Sequence, residues 1–283
     1  MTAAQDHIAA PQRRNWRLTG GGILAGLILG GWIFAALFAP WIAPYEPDAI
    51  DMMNMLGAPS AAHWFGTDQV GRDIFSRVLH GARVDLLMCV LGVLPPLIIG
   101  TTVGLLSGYF RGLTDALFMR VYDITVAFPF FVLVLAIVGL LGPGLANYFI
   151  ALAIVGWVTY ARLVRAEVLV LRDSEYVLAA KVLGFSNRVI LLNHILPNAL
   201  SPVIAYAVSD AVLVMLAGAS LGFLGMGAQP PTAEWGVMIA DGQSFIDQAW
   251  WICFFPGMAA ITLGLGLAFL GDALAQLRRP VRG

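Results

Sequence analysis

The chain has 283 residues, of which 59% are hydrophobic and only 12% charged. That is about half the charge usual in a soluble domain. With a mean hydropathy of +0.83, this excludes an ordinary soluble globular domain and places the chain among membrane proteins. The net charge of -1 says nothing about partners, and no nucleic-acid partner is expected. Cys89 and Cys253 both lie in apolar stretches without paired spacing, so neither a disulfide nor a metal site is expected.

Crossing the hydrocarbon core takes about 20 apolar residues in a helix. Stretches free of Asp, Glu, Lys and Arg predict six helices, at about 21–43, 85–109, 121–141, 146–166, 199–222 and 249–275. They lack the alternation of polar and apolar residues that barrel strands require. The expected fold class is therefore all-α, a polytopic membrane protein with six transmembrane helices.

The tail 1–20 carries Arg13, Arg14 and Arg17. An Arg pair ahead of an apolar run resembles a twin-arginine signal, but the run is longer than a signal core of 7–15 residues, so it reads as the first span. Residues 44–84 form a loop. Within it, Thr67 or Asp68 is expected to cap a short helix through Ile74, Phe75, Val78 and Leu79, ended by His80-Gly81 and lying along the membrane surface. His63, Asp68, Asp73 and His80 have no recognised metal-ligand spacing, so capping and salt bridging are the expected roles. Residues 85–275 form the five-helix core. Its third and fourth spans are separated by the tight turn Gly142-Pro143-Gly144. Pro95-Pro96, Pro129 and Pro256 are expected kinks, and Asp123 has Arg120 as a nearby counter-charge.

The loop at 167–198 is the most informative segment. Asp173 or Ser174 can cap a first helix, with Glu175 favourable in its first turn. Gly184 can end that helix in the left-handed conformation. Ser186 can cap a second helix, which Pro197 is expected to close as it redirects the chain into the fifth span. Leu178 and Val182 share a face that Phe185 can fold back upon, with Ala179 and Ala180 beside it. Such a stripe either plugs into a partner's groove or packs beneath the chain's own helices.

Asp210 lies midway along the fifth span. It either lines a solute pathway, where it meets a cationic group, or makes an interhelical hydrogen bond. The loop at 223–248 holds Pro230-Pro231. Trp235, Trp250 and Trp251 suit an interfacial aromatic belt. The C-terminal tail 276–283 carries Arg278, Arg279 and Arg282, the expected counter-charges of Asp272. Thirteen of the sixteen Lys and Arg fall on one side if both ends share it, which predicts that both termini are cytoplasmic.

Leu178-Ala179-Ala180, Gly184, His194 and Leu196-Pro197 stand in the register of the EAA loop of binding-protein-dependent ABC importer permeases. That pattern is Glu-Ala-Ala, three residues, Gly, nine residues, Ile, one residue, Leu-Pro. Leu178 replaces the Glu and His194 the Ile; Glu175 is the nearest candidate for the missing charge. Residues 63–85, Ala127-Phe128-Pro129, Gly156-Trp157 through Arg165 and Leu224-Gly225 through Gly236 resemble the DppC/OppC-type permeases of peptide and nickel importers. The resemblance covers about residues 60–275.

It implies a type I ABC importer permease fold in a bacterial inner membrane. It also implies a second, DppB/OppB-like permease subunit, two ATPase subunits that bind ATP and Mg, and a periplasmic substrate-binding protein. The loop residues Glu175, Leu178, Ala179, Ala180, Gly184, Phe185, His194, Leu196 and Pro197 would dock on an ATPase. Dipeptides or oligopeptides are the expected cargo, with nickel or another small solute as the other reading. The residues exclude one role independently. A P-loop ends in Gly-Lys-Ser/Thr, and the sole lysine, Lys181, stands between Ala180 and Val182. No paired catalytic constellation occurs within the spans. The rival from another class is a secondary transporter working alone.

Overall fold

The computed structural model describes residues 20–276; the two tails, with their six arginines, lie outside them. Among the described residues the fold is helical, with a lone β-bridge between Thr67 and Asp73. Five helical stretches are long and apolar enough to cross a membrane. These are α1 (Gly20–Ile42), α2 (Ile74–Phe110), α5 with α6 (Leu145–Val155 and Trp157–Leu171), the stretch Asn187–Phe223, and α11 (Trp251–Gln276). The expected third span departs from a straight helix. It is a bent pair, α3 (Gly112–Val126) and α4 (Phe130–Leu141), whose axes meet at 86°. Pro129 causes the break: it has no N–H to donate and disfavours helical geometry at Phe128.

Two stretches are much longer than the bilayer. At about 1.5 Å per residue, the 37 residues of α2 reach about 55 Å, against a hydrocarbon core of about 30 Å. The short helix expected at Ile74–Leu79 is therefore not a separate surface element but the first turns of α2. Its cap is Asp73, not Thr67 or Asp68: the Asp73 carboxylate accepts from Ser76 N–H at 2.8 Å and from the Ser76 hydroxyl at 2.7 Å. Gly81 does not end it, because the glycine serves close packing. A Cβ there would stand 2.9 Å from the Trp235 indole.

The loop before α2 is built around Asp68, which accepts from the N–H groups of Val70 and Arg72 and pairs with the Arg72 guanidinium at 2.6 Å. It is fastened to α11 by Trp251, whose indole N–H donates to Thr67 O at 3.1 Å, and by stacking of Phe65 on Phe255 at 3.9 Å. Trp251 is thus buried instead of sitting in an aromatic belt. So is Trp235, which is 0% exposed and donates to Val78 O from the first turn of α10 (Trp235–Gln243). Trp250 alone of the three is exposed. The N-terminus of α10 is shared by two buried carboxylates. Glu234 accepts from Gly236 and Val237 N–H at 2.6 and 2.9 Å, and Asp85 accepts from Trp235 N–H at 3.3 Å. Burial pushes the Glu234 carboxyl above the ordinary glutamate range.

A proline inside α1 is compensated by a distant group. Pro40 cannot donate to Ala36 O, and the Arg83 guanidinium takes that carbonyl at 2.5 Å and Leu37 O at 3.1 Å. The closest helix contact is α2 on α6. Gly100, Gly104 and Gly108 recur every fourth residue and let α6 approach to backbone distance, the packing mode of small residues in membranes. A Cβ at Gly104 would stand 2.5 Å from Ala161 O and 2.8 Å from Val164 Cβ. Gly104→Leu should therefore cost at least about 1–3 kcal/mol. It should lower the melting temperature of the detergent-solubilised protein; unchanged melting would contradict this close contact.

Candidate functional site

Two places hold the residues singled out from sequence: the loop between α6 and α9 (Leu196–Phe223), and a cavity at the middle of the bundle.

In the loop, α7 (Glu175–Val182) begins after Ser174 and ends at Gly184, whose φ is +81°. Phe185 N–H donates to Ala180 O and Gly184 N–H to Lys181 O. These are the two bonds of a Schellman ending, and glycine meets its left-handed requirement at no steric cost. Ser174 holds the N-cap position, but its side chain does not cap. Its hydroxyl instead donates back to Leu171 O at 2.5 Å. Ser186 does cap its helix, α8 (Asn187–Val189), accepting from Val189 N–H at 3.5 Å.

The second helix of the loop is not closed by Pro197. From α8 the chain passes through a π turn (Ile190–Ile195) directly into α9, as one helical stretch of 37 residues. The proline lies in the first turn of α9, where the wider turn accommodates its missing N–H. The loop is therefore continuous with the span it precedes.

The two faces of α7 have different fates. Val177 and Ala180 are buried in the chain's own core, at 0% and 4% exposure. Leu178, Ala179, Val182, Leu183 and Phe185 point outward, with Val182 88% exposed. The apolar stripe read from sequence thus divides: Ala180 packs inward while Leu178 and Val182 are uncovered. Phe185 does not fold onto that pair; its ring lies 5.8 Å from the His194 ring. His194 and Leu196 are half-buried and Pro197 is exposed. Glu175 is exposed and makes no ion pair among the described residues.

The groups that hold this loop in place were not found from sequence. Arg172 donates to Tyr109 O at 2.7 Å, filling an orphan carbonyl at the C-terminus of α2, where a cation is favoured. The Tyr109 hydroxyl donates to Asn187 Oδ1 at 2.7 Å, and Lys181 Nζ lies 5.6 Å from the Tyr109 ring centroid. Asn198 Nδ2 donates to His194 O at 2.9 Å and to the Tyr176 hydroxyl at 3.3 Å, tying α7 to the π turn. Only the i, i+4 spacing of His194 and Asn198 was a local signal; the others join residues far apart in sequence. Arg165 grips Asp115 with two bonds of 2.6 and 2.7 Å, bracing α3 against α6. Asp123 pairs with no arginine among the described residues, and the arginines expected near Asp272 lie outside them.

Asp210 stands apart from the loop, midway along α9. It lines a cavity of about 580 Å³ bounded by α2, the α3–α4 break, α5, α6 and α9. Its carboxylate accepts from the Tyr160 hydroxyl at 2.7 Å and the Tyr206 hydroxyl at 3.3 Å. The residue thus makes the interhelical hydrogen bond and also faces a cavity. An ionised side chain at the centre of a membrane helix costs about 3 kcal/mol. Two hydroxyl donors reduce that cost without neutralising the charge.

The sequence is similar to those of known proteins. A family model described as "Binding-protein-dependent transport system inner membrane component" matches residues 100–280. A dipeptide transport system permease protein DppC of Alkalihalophilus pseudofirmus is 43% identical over 258 residues, covering 91% of this chain and 85% of the relative. A probable D,D-dipeptide transport system permease protein DdpC of Escherichia coli is 42% identical over 270 residues, covering 95% and 91%. A glutathione transport system permease protein GsiD of Pectobacterium atrosepticum is 38% identical over 277 residues, covering 96% and 92%. The multi-pass helical bundle, the uncovered loop and the matches along nearly the whole chain agree: the chain belongs to the binding-protein-dependent transport system inner membrane components, the permeases that work with ATPase and substrate-binding partners in ABC importers.

Proposed function

We propose that this chain forms half of the translocation pathway of a peptide importer and couples it to ATP hydrolysis through residues 167–198. The relatives named for dipeptides, D,D-dipeptides and glutathione support short peptides as the cargo. The other half of the pathway is a second, DppB/OppB-like permease. Two ATPase subunits, which bind ATP and Mg, sit below, and a periplasmic binding protein delivers the solute. The Lys and Arg distribution supports an orientation with both termini and the 167–198 loop in the cytoplasm.

One observation carries the coupling role: the outward face of α7. A short helix whose inner side is fixed by Val177 and Ala180 presents Leu178, Val182, Leu183 and Phe185 uncovered beside the left-handed Gly184. Groove-binding helices present such a rigid apolar face. Because α8, the π turn and α9 are continuous, displacing this loop displaces the span that lines the cavity. Docking takes place on Leu178, Ala179, Gly184 and Phe185, flanked by Glu175, His194, Leu196 and Pro197, while Ala180 sets their position from inside.

Two substitutions test this in the assembled transporter. Val182→Asp changes a side chain with almost no contacts of its own, so the stability of the chain should move by no more than about 0.5 kcal/mol. Co-purification of the ATPase subunits should be lost; retention at the unsubstituted level would contradict docking on this face. Gly184→Val places a β-branched residue at φ +81°, which costs about 1–2 kcal/mol locally but meets no neighbour within the chain. Peptide uptake should be abolished while the protein stays in the membrane, and normal uptake would contradict the coupling role.

A further inference from the structure

The cavity at mid-bundle holds a carboxylate with no cation to balance it. Among the described residues no arginine, lysine or histidine pairs with Asp210. Asp68 and Asp115, by contrast, have Arg72 and Arg165 as partners, and buried Asp85 takes the N-terminus of α10. Arg162, on the helix that carries Tyr160, is turned away and donates to the Tyr122 hydroxyl at 3.4 Å. An ionised carboxylate offers about four lone-pair sites, and Tyr160 and Tyr206 fill two of them with neutral donors. The rest of the lining is mostly apolar, including Pro96, Phe131, Val155 and Leu213, with the hydroxyl residues Thr125 and Thr159 among them.

We propose that Asp210 is a transient binding site for the cationic group of the transported solute. An ammonium group, such as a peptide amino terminus, meets the carboxylate beside Tyr206. The apolar walls receive the remainder of the solute. The proposal rests on reading this chain as half of the pathway. Three features of the cavity fit this ligand. Its volume of about 580 Å³ lies within the range of small-molecule sites, about 300–1,000 Å³. The ring of Tyr206, which lines the cavity, adds a π face that attracts cations. Two hydroxyl donors already spread the carboxylate charge, so the site holds a cation weakly enough to release it, which a pathway requires. A purely structural tie between α6 and α9 is kept by asparagine, whose carbonyl oxygen accepts from the Tyr160 hydroxyl while its amide donates to the Tyr206 hydroxyl oxygen. Asp210→Asn therefore separates charge from hydrogen bonding.

The test uses the assembled transporter in proteoliposomes, with Cys89 and Cys253 replaced by alanine and a cavity thiol introduced by Leu213→Cys. Its reaction rates with a trimethylammonium-bearing and a sulfonate-bearing methanethiosulfonate are each divided by the rate with a free thiol in solution. The cationic reagent should be favoured about tenfold, and Asp210→Asn should remove that preference. A preference that survives Asp210→Asn, or no reaction in the cavity at all, overturns the proposal. A second measurement leaves Asp210 untouched. Glycinamide, which is cationic, should slow labelling by the cationic reagent, and neutral N-acetylglycinamide should not; equal protection by both overturns it. Peptide uptake by the unsubstituted transporter is followed in parallel. Cation preference without uptake would sink the pathway reading and leave the site standing, whereas uptake without cation preference would do the reverse.

Discussion

The constraint on which the rest depends is a length mismatch. The helical stretch Asn187–Phe223, at 37 residues, is far longer than a bilayer core is thick. Inside hydrocarbon every backbone group must be bonded within the helix, so the span cannot unravel to absorb the excess. The excess has to project. It projects at the side where α7, Gly184 and Ser186 fold back against it, and Tyr176, His194 and Asn198 lock the two pieces together. Loop and span are thereby made into one lever. The π turn at Ile190–Ile195 is the place where that lever departs from α-helical geometry.

A lever needs a fulcrum, and the contact of α2 with α6 provides one. The glycine row of α2 brings the two backbones together, and α2 also carries Tyr109 and the carbonyls that Arg172 caps. The loop therefore rests on the end of the most closely packed helix in the bundle. At the opposite end, α10 is held by two carboxylates on its first N–H groups and by the Trp235 indole, and the loop before α2 is clasped to α11. Between these two fixed ends lies the cavity. It is bounded on one side by the bent pair α3–α4, the element least packed against its own chain: Leu113, Leu117, Ile124 and Phe128 are all exposed.

The sequence made most of this legible where the signal was local. Spans announce themselves by the absence of charge, and Gly184 and Ser186 announce a helix end and a helix start by their backbone and capping chemistry. The same local reasoning failed where tertiary packing reassigned a residue. Gly81 reads as a helix stop but exists to admit Trp235; Trp235 and Trp251 read as belt residues but are buried donors. Pro197 reads as a break but is absorbed in the first turn of α9, whereas Pro129 does break its span. A proline's effect depends on what can satisfy the carbonyl it abandons, and that is settled by distant groups, as Arg83 does for Ala36. At the candidate site, the stripe on α7 was visible, but which half of it faced outward was not. The tyrosines around Asp210 were half visible: Tyr206 is one turn away on the same helix, and Tyr160 comes from another.

In the function proposed above, this chain supplies a pathway wall and a lever, and its partners supply the engine. Solute flux through proteoliposomes measures that division of labour most directly. Vesicles holding this chain with its permease, ATPase and binding-protein partners should accumulate peptide only when ATP is supplied. Vesicles holding this chain alone should accumulate none. Peptide carried across the membrane by the isolated chain would contradict the account.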